Sequence, residues 1–276
     1  MREYESHLSK AFIIVFSLVC VAFFSVPLLW LLTAPFTPKT TLAVEIPANP
    51  TLENFRRVFD NSFAIRALFR NNLIIAGGAM LMVSTVATLA SYGLSRTRLP
   101  GKNTLVYVLM LFSSVVGGTA AMVPLFLLAH NLHLIDTHLG VILVLTGGLL
   151  PAAIFMMRDF VESIPRSYEE AAIVYGASPL RIFCDIAFPL IRPGVAVVAI
   201  WTFVNAWGAF LIPVVMLRNP KNMPASVALY SFYSEAGTPI HTLVAAYAFL
   251  YGIPVLVLYL LVNWRFGFRF FGGIKS

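Results

Sequence analysis

Charged residues are scarce in this chain of 276 residues. Asp, Glu, Lys and Arg make up 11% of it and the mean hydropathy is +0.85, whereas soluble domains carry about 25% charged residues. A water-soluble fold is therefore excluded, and we predict an all-α integral membrane protein. The net charge of +7 then marks orientation in the membrane and does not indicate nucleic-acid binding.

Cysteine and catalytic motifs are also nearly absent. Cys20 lies in the first apolar run and Cys184 in a polar stretch, so no disulfide framework or Cys-based metal site is indicated. The sequence lacks G-x-x-x-x-G-K-[ST], H-E-x-x-H and G-x-S-x-G, which argues against a P-loop, a zinc protease and a Ser hydrolase. We therefore expect no enzyme activity and no bound cofactor.

Six apolar runs free of charge are long enough to cross about 30 Å of hydrocarbon. They lie near residues 11–34, 72–95, 103–128, 139–157, 194–217 and 242–264. The first is too long for the apolar region of a cleaved signal peptide, so we predict an uncleaved first helix. The remaining parts are a terminal segment 1–10, an external segment 35–71, a loop 158–193 inside the core 72–264, and a tail 265–276.

Short linkers between the spans predict the orientation. The linker RTRLPGK carries Arg96, Arg98 and Lys102, whereas the next one has no Lys or Arg. Because basic residues concentrate in short cytoplasmic loops, the first linker and both termini are predicted to be cytoplasmic. The second linker is then external. Its three histidines and Asp136 offer too few ligands to predict a metal site.

The predicted spans contain no Asp, Glu, Lys, Arg or His. Proton- and ion-coupled carriers normally need an ionisable group at membrane depth, and the sequence shows no obvious inverted repeat. A secondary carrier is therefore disfavoured, and the energy for transport must come from another subunit. The Gly and Pro residues of the spans are consistent with close packing and kinks, or with irregular backbone that lines a polar pathway.

The loop between the fourth and fifth spans predicts two short helices. After Pro165, Ser167 and Glu170 have the spacing of a capping box for a helix over 168–175, which Gly176 would end. Ser178 and Pro179 then suit the N-cap and first position of a second helix. Its apolar face would comprise Leu180, Phe183, Ile186 and Ala187.

These residues resemble the EAA signature of ABC importer permeases. Glu170 to Ala177 reads E-A-A-x-x-x-G-A, and Phe188-Pro189-Leu190 with Pro193 matches the close of the signature. The similarity to the maltose-type sugar branch extends over most of the chain, through NNLIIAGG, ASYGLSRTRLPGK, VPLFLLAHNLHLIDTHLGVIL, VNAWGAFLIPVVML and GGIKS. Two positions depart from the pattern: Tyr175 stands where relatives commonly have Asp, and Gly208 where they commonly have Asn.

The resemblance implies a type I ABC importer permease fold with six spans and a cytoplasmic coupling helix. That helix would dock in a cleft of an ATPase subunit, with Glu170 paired to a basic residue of the ATPase. Glu170 could also complete the capping box, and both roles can hold. The implied docking residues are Glu169, Glu170, Ala171, Ala172, Tyr175, Gly176, Ala177 and Arg181.

The other candidate residues have alternative roles as well. Trp201, Asn205 and Trp207 are candidates for a sugar pathway, by stacking and hydrogen bonding, or for helix packing. Asn222, Tyr230 and Tyr233 lie in an outer segment that would contact a binding protein or serve as a solvated connector. In the tail, Gly273 and Lys275 are candidates for ATPase contact, whereas Phe266 to Phe271 suit an interfacial anchor.

The resemblance also implies the rest of the assembly. This chain would pair with a second permease, two ATPase subunits that use ATP and Mg²⁺, and an external sugar-binding protein or lipoprotein, in a bacterial or archaeal cell membrane. Lipid surrounds the spans and no nucleic acid is expected. The expected cargo is a sugar or oligosaccharide; the alternatives within the family are a polyol or glycerol phosphate.

Overall fold

The structure is a computed structural model, and it describes residues 2–38, 43–97, 100–101, 104, 106–111 and 121–266, with side chains from residue 12 to residue 265 of these ranges. Across these ranges the regular structure is helical, apart from one isolated bridge between Tyr233 and Pro239. The prediction of an all-α fold is therefore confirmed.

Twelve helices are labelled in chain order. They are α1 (Arg2–Thr33), α2 (Glu53–Asp60), α3 (Ser62–Arg66), α4 (Leu73–Arg96), α5 (Met122–Asn131), α6 (His138–Glu162), α7 (Arg166–Val174), α8 (Pro179–Ile182), α9 (Phe188–Trp207), α10 (Leu211–Met216), α11 (Ala225–Ala228) and α12 (His241–Phe266). Two π-helical turns, Ala67–Asn72 and Phe183–Ala187, lead directly into α4 and α9. Shorter 3-10 turns cover Ala34–Phe36, Pro220–Asn222 and Leu229–Phe232.

Five helical segments in the described residues are long and apolar enough to cross a membrane. They are Phe12–Phe36, Ser62–Arg96, His138–Glu162, Pro179–Trp207 and His241–Arg265. The remaining predicted span, 103–128, includes residues 112–120, which lie outside the described ones. The described stretches on either side of that gap, 106–111 and Met122–Asn131, are helical.

The predicted bounds of the fifth span, 194–217, differ from the structure. The helix ends at Trp207 and Gly208, and residues Leu211–Met216 form a separate short helix. At its other end the helix continues back through a π-helical turn to Pro179. Helix ends and membrane bounds therefore need not coincide, because apolar composition does not mark where a helix ends and a helix can continue through charged residues near the membrane surface.

The described residues form two compact units. In the first, residues 1–65 and 229–253, aromatic rings pack together: Phe55 lies 5.3 Å from Phe36 and 5.8 Å from Phe249 between ring centroids. The Tyr247 hydroxyl donates to the backbone oxygen of Ala64 at 3.4 Å. Buried Asn54 donates from its side-chain amide to the backbone oxygens of Pro35 and Thr37, both at 2.9 Å. This unit is thus held by aromatic packing and a few buried hydrogen bonds.

The second unit, residues 66–228 and 254–276, has α4, α6 and α9 at its centre. Small and β-branched residues fill the contact, which lets membrane helices approach closely. The fully buried members of this core are Val83, Ala87, Ala153, Met157, Val161, Ala187 and Val198. Packing of the three helices brings the last turn of α4 next to the end of α6 and the start of α7, where the predicted docking residues lie.

Candidate docking site

A helix–turn–helix formed by α7 and α8 connects α6 to α9, and these two helices with their turn are called the docking element. Between α7 and α8, Gly176 has φ +78°, a conformation that Gly adopts without steric cost. The backbone N–H of Gly176 donates to Ile173 at 2.9 Å and that of Ala177 to Ala172 at 3.0 Å, the pattern of a Schellman motif. The predicted helix stop at Gly176 is therefore confirmed.

The start of α8 also follows the prediction. Ser178 is the N-cap, and its Oγ accepts a hydrogen bond from the backbone N–H of Arg181 at 3.4 Å, while Pro179 occupies the first position. On the predicted apolar face, Ala187 is buried and Phe183 is half-buried, whereas Leu180 is 73% exposed. The inner part of this face packs on the core and its first turn projects outward.

The predicted capping box of the first helix is wrong. Helix α7 begins at Arg166, with Pro165 as N-cap and no side-chain cap hydrogen bond, so Ser167 lies inside the first turn. Pro165 supplies no backbone N–H and has the extended ψ of 130° that precedes a helix, so the helix starts two residues before the position that the S-x-x-E pattern requires. Glu170 is exposed and is not held as a cap.

Glu169 has a different environment from its neighbour. Its side chain is 10% exposed and pairs with Arg96 of α4, which is 15% exposed; Arg96 Nη2 lies 2.7 Å from Glu169 Oε1. Arg96 Nε donates to Oε1 at 2.8 Å and to Oε2 at 3.0 Å, and the Tyr92 hydroxyl donates to Oε2 at 3.2 Å. The structure therefore turns Glu169 away from the docking face to which the sequence pattern assigned it.

Arg96 also connects α4 to the end of α6. Its Nη2 donates to the backbone oxygen of Val161, in the last turn of α6, at 3.3 Å and to that of Ile164, two residues after the helix, at 3.4 Å. In the opposite direction, Arg166 Nη2 of α7 donates to the backbone oxygen of Ser95 at 3.1 Å. The sequence marks Arg96 only as a basic residue of a short linker and gives no sign of a role for Tyr92, because no local pattern marks either as a partner of Glu169.

The outward side of this element is apolar and exposed. Ile173 is 60% exposed, Val174 84% and Tyr175 89%, and exposed apolar surface of this kind is typical of an interaction site. Beside it lies an open groove of about 380 Å³, lined by Ala172, Tyr175, Gly176, Ala177, Arg181, Ile182, Asp185 and Ile186. Five of the eight predicted docking residues thus line one groove.

The three pathway candidates on α9 are in different environments. Trp207 is 2% exposed, and its ring stacks on Phe203 with a centroid separation of 5.3 Å. Trp201 packs against the helix core. Asn205 is exposed, and its side-chain amide donates to the backbone oxygen of Trp201 at 2.7 Å. The structure thus favours packing for the two tryptophans and leaves Asn205 at the surface.

The candidates in the outer segment also differ. Asn222 is partly buried, and its side-chain amide donates to the backbone oxygen of Asp136 at 2.8 Å. Tyr230 and Tyr233, in the first unit, lie against each other with a ring separation of 5.4 Å, and Tyr230 is 57% exposed. Gly273 and Lys275 of the tail lie outside the described residues.

Residues 102–266 match the family model of the binding-protein-dependent transport system inner membrane component. The chain belongs to this family. The permease is 33% identical to the maltodextrin transport system permease of Bacillus subtilis, over 78% of this chain and 77% of the relative. It is 32% identical to the galactooligosaccharides transport system permease of the same organism, over 92% of each chain.

Solved structures show the same fold. A bacterial ABC transporter involved in the import of the acidic polysaccharide alginate matches the permease with a TM-score of 0.77, over 95% of this chain and 96% of the other, at 21% identity. The permease is thus a multi-pass membrane component with an ABC importer permease fold, as the EAA signature predicted.

Proposed function

We propose that the permease is the membrane-spanning, non-catalytic subunit of an ATP-driven importer that carries a sugar into the cytoplasm. The observation that carries the proposal is the exposed apolar face and groove of α7 and α8, which the permease presents between two membrane spans. Such a surface needs a partner protein, and the family signature lies on it.

The partner of this surface is an ATPase subunit that binds ATP and Mg²⁺. Ala171, Ala172 and Gly176 have small or no side chains and allow close approach. Glu170 is exposed and free of the predicted cap, so its carboxylate is available to a basic residue of the ATPase. Closure of an ATPase dimer would draw together the two permease elements docked on it and favour an outward-open state. The equilibrium between the inward-open and outward-open states can shift only by the difference between their affinities for the closed ATPase.

The rest of the assembly follows the family. A second permease subunit, forming a heterodimer with this chain, two ATPase subunits and an external binding protein complete the importer. Both termini lie in the cytoplasm, and the segment with Tyr230 and Tyr233 faces the binding protein. The exposed ring of Tyr230, which lies against the half-buried ring of Tyr233, suits contact with a protein or a sugar.

A neutral sugar or oligosaccharide is the cargo that the observations favour. The relatives described above are named for maltodextrin and galactooligosaccharides, and a further one is named for diacetylchitobiose uptake. The central helices α4, α6 and α9 bury apolar and hydroxyl side chains, in keeping with an uncharged cargo. A polyol or glycerol phosphate remains the alternative substrate.

Two measurements test the proposal. A tagged permease expressed with its neighbouring genes should co-purify with an ATPase, a second permease and a binding protein. Proteoliposomes of that complex should take up labelled maltotriose, galactooligosaccharide or diacetylchitobiose when ATP is enclosed in the vesicles and the ATPase faces their interior. Transport by the purified permease alone, without ATP, would refute the importer and favour a secondary carrier. Uptake of labelled glycerol phosphate in place of the three sugars would refute the sugar assignment.

Glu170→Gln tests the docking role of this carboxylate. The amide keeps the size of the side chain but cannot form an ion pair, so we expect less ATPase recovered with the permease and slower uptake, with unchanged insertion in the membrane. Full uptake by the variant would rule out the ion-pair role.

A further inference from the structure

We propose that Glu169 and Arg96 are positioning residues that lock the docking helix α7 to the last turn of α4, so that the two helices move as one body when the ATPase moves. This inference rests on the proposed function, because the movement originates in the ATPase. It assigns different roles to two adjacent glutamates: Glu170, the first residue of the signature, contacts the partner, and Glu169, just before it, transmits the movement.

The geometry of the pair is that of a rigid joint. Two nitrogens of Arg96 contact the carboxylate of Glu169, at 2.7 to 3.0 Å. A planar guanidinium that contacts a carboxylate through more than one bond fixes orientation as well as distance. Both side chains are mostly buried, at 15% and 10% exposed, so water competes little for these contacts.

Further contacts make the joint two-sided. Arg96 on α4 donates to the end of α6 through the oxygens of Val161 and Ile164. Arg166 on α7 donates back to the end of α4 through the oxygen of Ser95. Arg96 thus ties α4 to the end of α6, and Arg166 ties α7 back to α4, so rotation of α7 on α4 would break the bond from Arg166 to Ser95 together with the Arg96–Glu169 pair.

Aromatic contacts extend the joint to the second helix of the docking element. The Tyr92 hydroxyl donates to Glu169, while its ring lies 4.9 Å from that of Phe183, between centroids. Phe183 begins the π-helical turn that leads from α8 into α9. One turn of α4, from Tyr92 to Arg96, therefore contacts both ends of the docking element.

The experiment measures the distance between α7 and α4 by pulsed electron paramagnetic resonance in the assembled importer. Spin labels are placed at Ser167→Cys and Leu89→Cys, both exposed positions, after Cys20 and Cys184 are changed to Ser. The distance is recorded without nucleotide and after trapping with ATP and vanadate. If α7 and α4 are one body, the distance distribution shifts by less than its own width between the two states. A larger shift in the otherwise unaltered protein would overturn the proposal without any further variant.

Glu169→Gln and Glu170→Gln form a matched pair of variants, because each makes the same change one position apart. In Glu169→Gln we expect the ATPase to co-purify, the distance to broaden on trapping, and the number of sugar molecules imported per ATP hydrolysed to fall several-fold. In Glu170→Gln we expect the reverse: weaker recovery of the ATPase and an unchanged distance distribution. If the distance distribution between the spin labels is the same with Glu169→Gln as with native Glu169, the proposal that this pair joins α7 to α4 is refuted.

Two further arms keep the test decisive. Arg96→Lys retains the charge but loses the planar contact, so a folded Arg96→Lys protein should also show a broadened distance; an unchanged one would contradict the role of the guanidinium. If no ATPase co-purifies with the unaltered permease, the proposed function fails. The Glu169–Arg96 joint is then tested separately, by comparing the width of the spin-label distance distribution in the permease with Glu169 and with Glu169→Gln.

Discussion

Gly194 of α9 lies directly against the aromatic ring of Phe160 of α6. A Cβ carbon at position 194 would overlap Cβ of Phe160 and the ring atoms Cγ and Cδ2, so the two helices can approach this closely only because residue 194 has no side chain. Small residues at helix contacts are a general means of packing in membranes. The contact is near the end of α6 that holds the docking element.

Replacement of Gly194 by Ala should destabilise the permease by about 1–3 kcal/mol, the usual cost of an extra methyl group in a packed contact. Gly147→Ala is the matched control, because Gly147 is also in a helix and a Cβ there would meet nothing within 4 Å. Ala favours a helix over Gly by about 1 kcal/mol, so the control should be neutral or more stable. Thermal unfolding in detergent measures both, and equal stabilities would contradict the packing argument.

Asp136 organises the loop after α10 through its side chain. Its Oδ1 accepts hydrogen bonds from the backbone N–H groups of Arg218 and Asn219, and its φ is +60°, a conformation that Asn also tolerates. Because Oδ1 alone makes both bonds, Asp136→Asn should leave stability nearly unchanged. Asp136→Ala removes the acceptor and should cost about 1–3 kcal/mol, from two lost bonds of about 0.5–1.5 kcal/mol each.

Asp136→Gly separates the two contributions at this position. It also lacks the acceptor but relieves the strain of positive φ, which is about 1–2 kcal/mol for an L-residue. We therefore expect the order of stability Asn, then Gly, then Ala, measured by thermal unfolding and by the rate of proteolysis in residues 217–223. A Gly variant less stable than the Ala variant would show that backbone strain does not contribute.

Asn71 fixes the same loop from the helix side. It is 2% exposed, and its Nδ2 donates to the backbone oxygens of Lys221 at 2.8 Å and Met223 at 2.9 Å. In Asn71→Asp a carboxylate oxygen replaces the donor and faces the two backbone oxygens. We therefore expect the free energy of unfolding to fall by about 1–3 kcal/mol or more, the cost of buried polar groups left without partners. Asn219→Asp is the control: it keeps the exposed acceptor that caps Lys221 and should change stability by less than about 0.5 kcal/mol. Similar unfolding temperatures for the two variants would refute the role of Asn71.

Local chemistry explains which parts of the docking element could be predicted from sequence. Gly176, Ser178 and Pro179 act through conformations and bonds within a few residues, and each was predicted correctly. The S-x-x-E pattern of Ser167 is equally local, but it competes with a stronger signal from Pro165, which starts the helix earlier. The prediction of the capping box was wrong because the signals from Ser167 and Pro165 overlap, and the sequence does not show which of the two sets the start of the helix.

The buried pair lay beyond prediction for a different reason. Glu169 and Arg96 are 73 residues apart, and their contact depends on how α4 and α6 pack. Nothing in the sequence distinguishes the role of Glu169 from that of Glu170 beside it, because the difference arises from about 100° of rotation around α7. Similarly, the place of Asn222 in the outer segment predicts a binding-protein contact or part of a connector, and no sequence pattern indicates that its side-chain amide binds the backbone oxygen of Asp136.

The orientation of the permease can be tested with cysteines at two of its surfaces. Native Cys184 is exposed on the docking element, which we assign to the cytoplasm, and Asn219→Cys would add an exposed thiol to the loop assigned to the outside. A membrane-impermeant maleimide added to intact cells should label position 219 and leave Cys184 unlabelled. Inverted vesicles should give the opposite result, because the reagent then reaches the cytoplasmic face. Both the protein with native Asn219 and the Asn219→Cys variant carry Cys20→Ser, which removes the thiol of the first span. Labelling of Cys184 from outside intact cells would reverse the orientation and place the docking element where no cytoplasmic ATPase could reach it.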